Sequence, residues 1–245
     1  MDELYKLRPN IAFAGLTAAG KTTHARLVAQ ELGYTYISAT EVMLDILQFR
    51  GTDPNRAWLD NYNEIEKARE GDRADIELET RMTKLSNSQD GLVLDTWAMA
   101  WIYSGPTPMV RLWIESNESS RTRKCYVSQG NNKDRDLREC RQLINQKDGD
   151  TRMKFQRRLS FDLFTDRSRY NVILDNSRLI PEATTEVAQR GIATFAPIVL
   201  EAVKYCINSL VTSSFDENTE KAHRLVEDSH GMIQHIGAMA QELNA

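Results

Sequence analysis

Eight consecutive residues, Gly15-Leu16-Thr17-Ala18-Ala19-Gly20-Lys21-Thr22, set two glycines, a lysine and a hydroxyl at the spacing G-x-x-x-x-G-K-[ST]. That combination suits a polyphosphate. Glycine lets the backbone curl until successive N–H groups point inward at an anion. A helix opening at Thr23 would add its unpaired N–H groups and the positive end of its dipole. Lys21 can reach β- and γ-phosphates, and the Thr22 hydroxyl can ligate Mg²⁺. The bland alternative is a glycine turn with a chance lysine. Asp95 ends the apolar run Leu92-Val93-Leu94. An acid there can hold a Mg²⁺ water or orient an acceptor hydroxyl, or it can simply cap a helix. Ser38 follows the run Tyr34–Ile37 and could bind an acceptor or cap.

Phosphoryl chemistry also needs cations to neutralise the transferring group. The stretch from Gly130 to Lys154 is the most polar of the chain and dense in Arg, Lys and Asp. It reads either as a solvated hairpin or helix pair, or as a lid that carries cations to a phosphate. Arg152 leads the candidates, followed by Arg121, Lys147 and Lys124. Each could equally be a solvated surface charge, and Arg121 could instead stack on adenine. Trp58, Trp97 and Trp101 could floor an acceptor pocket or pack in the core. His223, Glu227 and His230 fall at i, i+4 and i+7, a spacing that could hold a metal or lie on a solvated face.

The elements that must position these groups alternate. Strands are expected at Ile11–Ala14, Tyr34–Ile37, Leu92–Leu94, Val110–Ile114 and Val172–Leu174. Helices are expected at Thr23–Leu32, from a Ser38 or Thr40 cap to about Phe49, at Arg56–Arg69, Asp72–Ser86 and Ser116–Ser128. Pro181 suits a helix start, Pro197 would open a long apolar helix towards Leu210, and Asp216–Leu243 reads as a final helix. Alternating strands and helices imply an α/β fold with a parallel sheet covered on both faces. Ligands in such sheets sit at the carboxyl ends of the strands, where the glycine loop, Ser38, Asp95 and Asp175 should emerge together.

The chain has 245 residues and a net charge of −4, which argues against nucleic acid as the main partner. No apolar run approaches the ~20 residues of a membrane span, and no signal peptide is visible. Cys125, Cys140 and Cys206 are widely spaced, as expected of reduced thiols in a cytoplasmic protein.

With these motifs in order, the sequence resembles the cytidylate kinase-like family of nucleoside monophosphate kinases, from about Ile11 to Val187. The matching segments are Tyr36-Ile37-Ser38-Ala39-Thr40-Glu41, Gly91-Leu92-Val93-Leu94-Asp95, Trp101, Arg121-Thr122-Arg123-Lys124, and Phe161 to Ser177. The resemblance implies a three-layer P-loop kinase fold with a five-stranded parallel sheet, a helical acceptor insert at about 40–88 and a lid at about 129–156. The core would span 7–212, with a helical extension at 213–245 that packs on the sheet or makes a homodimer contact. It implies ATP and Mg²⁺, and a small-molecule phosphate acceptor, with Asp75 and Asp162 matching acidic positions near that acceptor. Lys147 stands where the family has a lid arginine. Two departures concern the acceptor side. Leu44 replaces an arginine of the family pattern, and Asp95-Thr96-Trp97 replaces Asp-Gly-Arg. A guanidinium fork grips phosphate in a way neither Leu nor Trp can imitate. Three readings follow: a CMP-like kinase, a kinase for a non-nucleotide acceptor (an alcohol, phosphonate or sugar phosphate), or a nucleotide-binding regulator without turnover.

Overall fold

The computed structural model describes residues 8–69, 71–130, 134–160, 162, 164–210, 215–237 and 239. Residues 131–133 of the expected lid and the far end of the expected last helix lie outside these. The element order is β1 (Asn10–Gly15), α1 (Lys21–Leu32), β2 (Thr35–Ser38), α2 (Ala39–Ile46), α3 (Ala57–Asp60), α4 (Tyr62–Ala68), α5 (Arg73–Ser88), β3 (Leu92–Asp95), α6 (Met99–Ile102) and β4 (Met109–Glu115). It continues with α7 (Glu118–Ser128), α8 (Leu137–Leu159), β5 (Val172–Asp175), α9 (Thr185–Ser209), α10 (Phe215–Asp228) and β6 (Ile233–Ile236).

The strands form one sheet in the order β2-β3-β1-β4-β5-β6. The central strand is buried along its whole length, and its alternation divides two cores. Ile11 and Phe13 join Val110, Leu112 and Ile114 on the face covered by α1 and α9. Ala12 faces the other way with Met82, Leu94 and Met99, and Ala14 packs with Trp113. Period-two side chains therefore build the three layers directly. The parallel register aligns Phe13 and Ser38 with Asp95, and Glu115 with Asp175, so the strand ends converge on one edge.

Five parallel strands are as expected, but a sixth joins them. The expected final helix stops at Asp228; His230 and Gly231 turn the chain at positive φ, and β6 pairs antiparallel with β5. Ile233 of β6 is buried in the main core, a gain in apolar burial that a further solvated helical turn would lack. The last long helix begins at Thr185, capped by the Thr184 hydroxyl, and runs through Pro197. Its buried stripe of Phe195, Val199, Ala202, Val203 and Cys206 outweighs one lost helical hydrogen bond.

The polar stretch after Gly130 is neither hairpin nor helix pair. It contains one 23-residue helix, α8, started by a capping box between Asp136 and Glu139. Its first half buries Cys140, Leu143 and Ile144 against Cys125 of α7. Its second half is held to the insert by polar pairs: Asp150 accepts the Tyr62 hydroxyl at 2.6 Å, Lys154 pairs with Glu66, Arg157 with Asp72, and Arg158 with Glu79.

Candidate active site

The loop between β1 and α1 is shaped by its glycines. Gly15 sits at φ 149°, and a Cβ there would lie 2.6 Å from the Ile114 carbonyl oxygen. Gly20 takes φ 101° at the start of α1. No side chain caps that helix, so its first N–H groups stay available to an anion. Lys21 is buried, donates to the Leu16 carbonyl at 3.0 Å, and lies 5.1 Å from the centre of the Trp97 ring. Burial pushes its pKa down, and the nearby carboxylates Asp95 and Asp148 oppose that shift. The cradle, the lysine and the unclaimed helix N-terminus together fit a polyphosphate.

Thr22 donates its hydroxyl to Asp95 Oδ2 at 2.5 Å, and the Tyr36 hydroxyl donates to the same oxygen at 3.1 Å. Burial beside this carboxylate raises the Tyr36 pKa to about 12, so it remains a donor. A hydroxyl and a carboxylate in contact at the phosphate end are a donor set suited to Mg²⁺. Ser38 accepts the Glu41 N–H at 3.3 Å, so it caps α2 while lining the same cleft.

The cations divide into two groups. Lys124 and Lys147 line the cleft beside the loop. Lys124 donates to Asn176 Oδ1 and Ser116 Oγ, and Lys147 lies 4.8 Å from the Trp58 ring centre. Burial brings each ammonium down to about pKa 7, helped by neighbouring cations. Arg121 and Arg152 line neither this cleft nor the adjoining cavity. Arg121 is buried beneath the loop, donating to Asp148 at 2.5 Å and to the Thr17 carbonyl at 3.1 Å. Arg152 pairs with Asp162 at 2.6 Å, which accounts for both residues away from the two cavities. Arg121 and Arg152, candidate cations for the transferring group, are thus each spent on a carboxylate, Asp148 and Asp162.

Asp148 is the residue that sequence spacing could not find. From α8 its carboxylate accepts the Thr17 N–H of the loop at 2.9 Å and holds Arg121. The helix thus braces the loop directly. On the other wall, the cleft continues between α1 and α9 past His24, Leu179, Ile180 and Phe195. His24 is held neutral, with burial lowering its pKa to about 4.

A second cavity of about 140 Å³ opens beyond Lys147 and Trp97, between the insert and α8. Asp75, Arg69, Tyr62, Met82 and Phe155 line it. Leu44 is buried against Ala57 and Ile65 within the insert, and Trp97 lines both spaces. Arg81, on α5 of the insert, is tied to Asp45 and Glu77. Among the described residues no cluster of His, Cys, Asp and Glu is arranged for a metal ion. The His223, Glu227 and His230 face fails because its helix ends at Asp228. The three cysteines are free and buried. No helix of the described residues is long and apolar enough to cross a membrane.

The sequence profile of the Cytidylate kinase-like family matches residues 10–178. The cytidylate kinase of Natronomonas pharaonis is 24% identical over 187 residues, covering 76% of this chain and 91% of that one. The cytidylate kinase of Methanopyrus kandleri is 22% identical over 198 residues, with 77% and 95% covered. A shikimate kinase structure from Bacteroides thetaiotaomicron aligns at a TM-score of 0.46 and 14% identity, over 78% of this chain and 98% of that one.

Proposed function

The chain belongs to the cytidylate kinase-like family, and on that premise we propose that it moves the γ-phosphoryl group of ATP onto a small phosphorylated acceptor, a CMP-like nucleoside monophosphate or analogue. The observation that carries this is the pairing of Thr22 with Asp95 at 2.5 Å, beside Lys21 and the uncapped start of α1. Membership of this family makes the protein a phosphotransferase and displaces the reading as a regulator without turnover.

ATP with Mg²⁺ supplies the transferable phosphoryl group and part of the neutralising charge. The chain's own residues do the rest. The N–H groups of Gly20, Lys21, Thr22 and Thr23 would orient the phosphates, those of Thr17 and Ala19 being spent on Asp148 and the Leu16 carbonyl. Lys21 neutralises developing charge on the equatorial oxygens. Thr22 and Asp95 would hold the metal, while Asp95, at the strand edge, orients the attacking oxygen. Lys147, between Lys21 and the second cavity, and Lys124, under the loop, bring further charge. Trp97, Ser38 and Asp75 would face the acceptor. Steady-state ADP release with a panel of nucleoside monophosphates tests this, with CMP expected to be turned over. A panel without any substrate would remove the proposal.

Leu44 and Trp97 favour a second reading, a non-nucleotide acceptor such as an alcohol, phosphonate or sugar phosphate. Leu44 is 6% exposed, packs against Ala57 and Ile65 and borders the second cavity, so an arginine there would have to seat a charge within that apolar cluster. Trp97→Arg is therefore the informative substitution. A gain in CMP phosphorylation supports this reading, and no gain counts against it.

A further inference from the structure

Asp95 is held by one of its two oxygens. Oδ2 accepts the Thr22 hydroxyl at 2.5 Å and the Tyr36 hydroxyl at 3.1 Å. Among the described residues no hydrogen bond reaches Oδ1, which stays open on a side chain that lines the cleft. An ionised carboxylate only accepts, so both hydroxyls spend their protons on Oδ2. Two donors on one oxygen fix how the carboxylate is turned and leave a single acceptor at the phosphate end.

The two donors have different origins. Thr22 belongs to the glycine-loop motif, whereas Tyr36 comes from β2 at the edge of the sheet. The register aligns Tyr36 with Val93 and Ser38 with Asp95. Residues two apart share a face of a strand, so the phenol reaches one pair forward to Asp95. Its ring packs on the main core, and Arg26, itself 3.6 Å from Glu41, covers it at 4.9 Å. A ring held on both sides gives the hydroxyl a fixed place. Phenylalanine would fill the same space, so the oxygen of Tyr36 serves Asp95 rather than the packing.

We infer that Tyr36 is a positioning residue that makes Asp95 a one-oxygen ligand, with Oδ1 presented to the divalent cation or to a water on it. The inference rests on the kinase reading, in which Thr22 and Asp95 hold the metal, and it adds which ion that pair admits. Mg²⁺ demands near-octahedral geometry and keeps several waters, whereas the larger Ca²⁺ often takes a carboxylate through both oxygens. With two hydroxyls on Oδ2, binding through both oxygens is closed. Tyr36, acting through Asp95, thus sets a preference for a small octahedral cation.

The test uses the full chain, a non-hydrolysable ATP analogue, and Mn²⁺ as the probe ion, with free Mn²⁺ read by electron paramagnetic resonance. Mg²⁺ and Ca²⁺ then compete, after correction for their affinities for the analogue alone. In wild-type protein Mg²⁺ should displace Mn²⁺ more effectively than Ca²⁺ does. Tyr36→Phe should weaken Mn²⁺ binding about tenfold, the loss expected for one hydrogen bond to a charged group. It should also narrow the gap between Mg²⁺ and Ca²⁺, while affinity for the metal-free analogue stays within about twofold of wild type. Tyr36→Phe combined with Asp95→Asn should bind Mn²⁺ no more weakly than Asp95→Asn alone, because Tyr36 acts through that carboxylate. Wild-type Mn²⁺ affinity or an unmoved ion preference in Tyr36→Phe overturns the inference, as do losses that add in the double variant. If Tyr36→Phe does not fold, the wild-type competition decides alone, and equal competition by Mg²⁺ and Ca²⁺ overturns the inference. Asp95→Asn separates the two claims. Undiminished Mn²⁺ binding by that variant sinks the metal reading of Thr22 and Asp95 and this inference with it, whereas a loss there without one in Tyr36→Phe sinks this inference alone.

Discussion

Replacing Asp148 with alanine should destabilise the protein more than any exposed ion pair could. Asp148 is 4% exposed and Arg121 is 5% exposed, and their atoms meet at 2.5 Å. Removing one member of a buried pair leaves the other charge stranded, at about 3–5 kcal/mol. At roughly 2–4 °C per kcal/mol for a chain of this size, Tm should fall on the order of 10 °C. The same substitution frees the Thr17 N–H, so the glycine loop loses its brace from α8. Asp148→Asn retains an acceptor for that N–H and should fall between wild type and alanine. The decisive assay is a double-mutant cycle by thermal or urea unfolding with Asp148→Leu, Arg121→Met and both together. Removing both charges should cost less than the sum of the single losses, because the stranded charge disappears. Single losses under about 1 kcal/mol that simply add would refute the claim that this buried pair anchors the helix to the loop.

The pocket lysines make proton uptake a second readout. Lys124 and Lys147 sit near pKa 7 and Lys21 is also lowered, so at pH 8 anion binding should draw protons in. Calorimetric titration with ATP at pH 8, in buffers of different ionisation enthalpy, should give enthalpies that vary with the buffer. Identical enthalpies would refute it. Because these folded-state pKa values lie below the unfolded lysine value, the unfolded chain holds more protons between about pH 7 and 10.5, and these lysines add stability as pH rises through that window. A further group of outcomes concerns the loop. Lys21→Ala should lower kcat by about 10²–10³ with little change in Tm; unaltered turnover would exclude Lys21 from the chemistry. Gly15→Ala meets the Ile114 carbonyl at 2.6 Å in a positive-φ position, so it should cost about 1–3 kcal/mol. An unshifted unfolding midpoint would show that the loop tolerates a Cβ.

The parts of the fold written in local signals were readable from sequence. Ile11–Ala14, the glycine loop and the helix after it fell within a residue or two of β1 and α1, because strand, loop and helix start each carry their own short-range chemistry. Ser38 behaved as the cap its position suggested. The misses depend on distant partners. α8 lacks an apolar stripe along its second half because its partners there are charges on the insert, some of them nearly ninety positions away, so its sequence looked like a solvated lid. β6 follows a helix without a strong breaker except Gly231, and only β5, sixty residues back, makes it a strand. The same reasoning holds at the site. Lys21 and Thr22 are legible because the motif carries them. Asp148 is 131 positions from the Thr17 it binds and Tyr36 is 59 from Asp95.

Phosphorus NMR of the reaction mixture addresses the central proposal most directly. With wild-type protein, ATP, Mg²⁺ and CMP, the account predicts that ADP and CDP appear together in equal amounts and that both form about 10²–10³-fold more slowly with Lys21→Ala. ADP appearing with free phosphate and no phosphorylated acceptor, or full transfer by the Lys21→Ala protein, would contradict it.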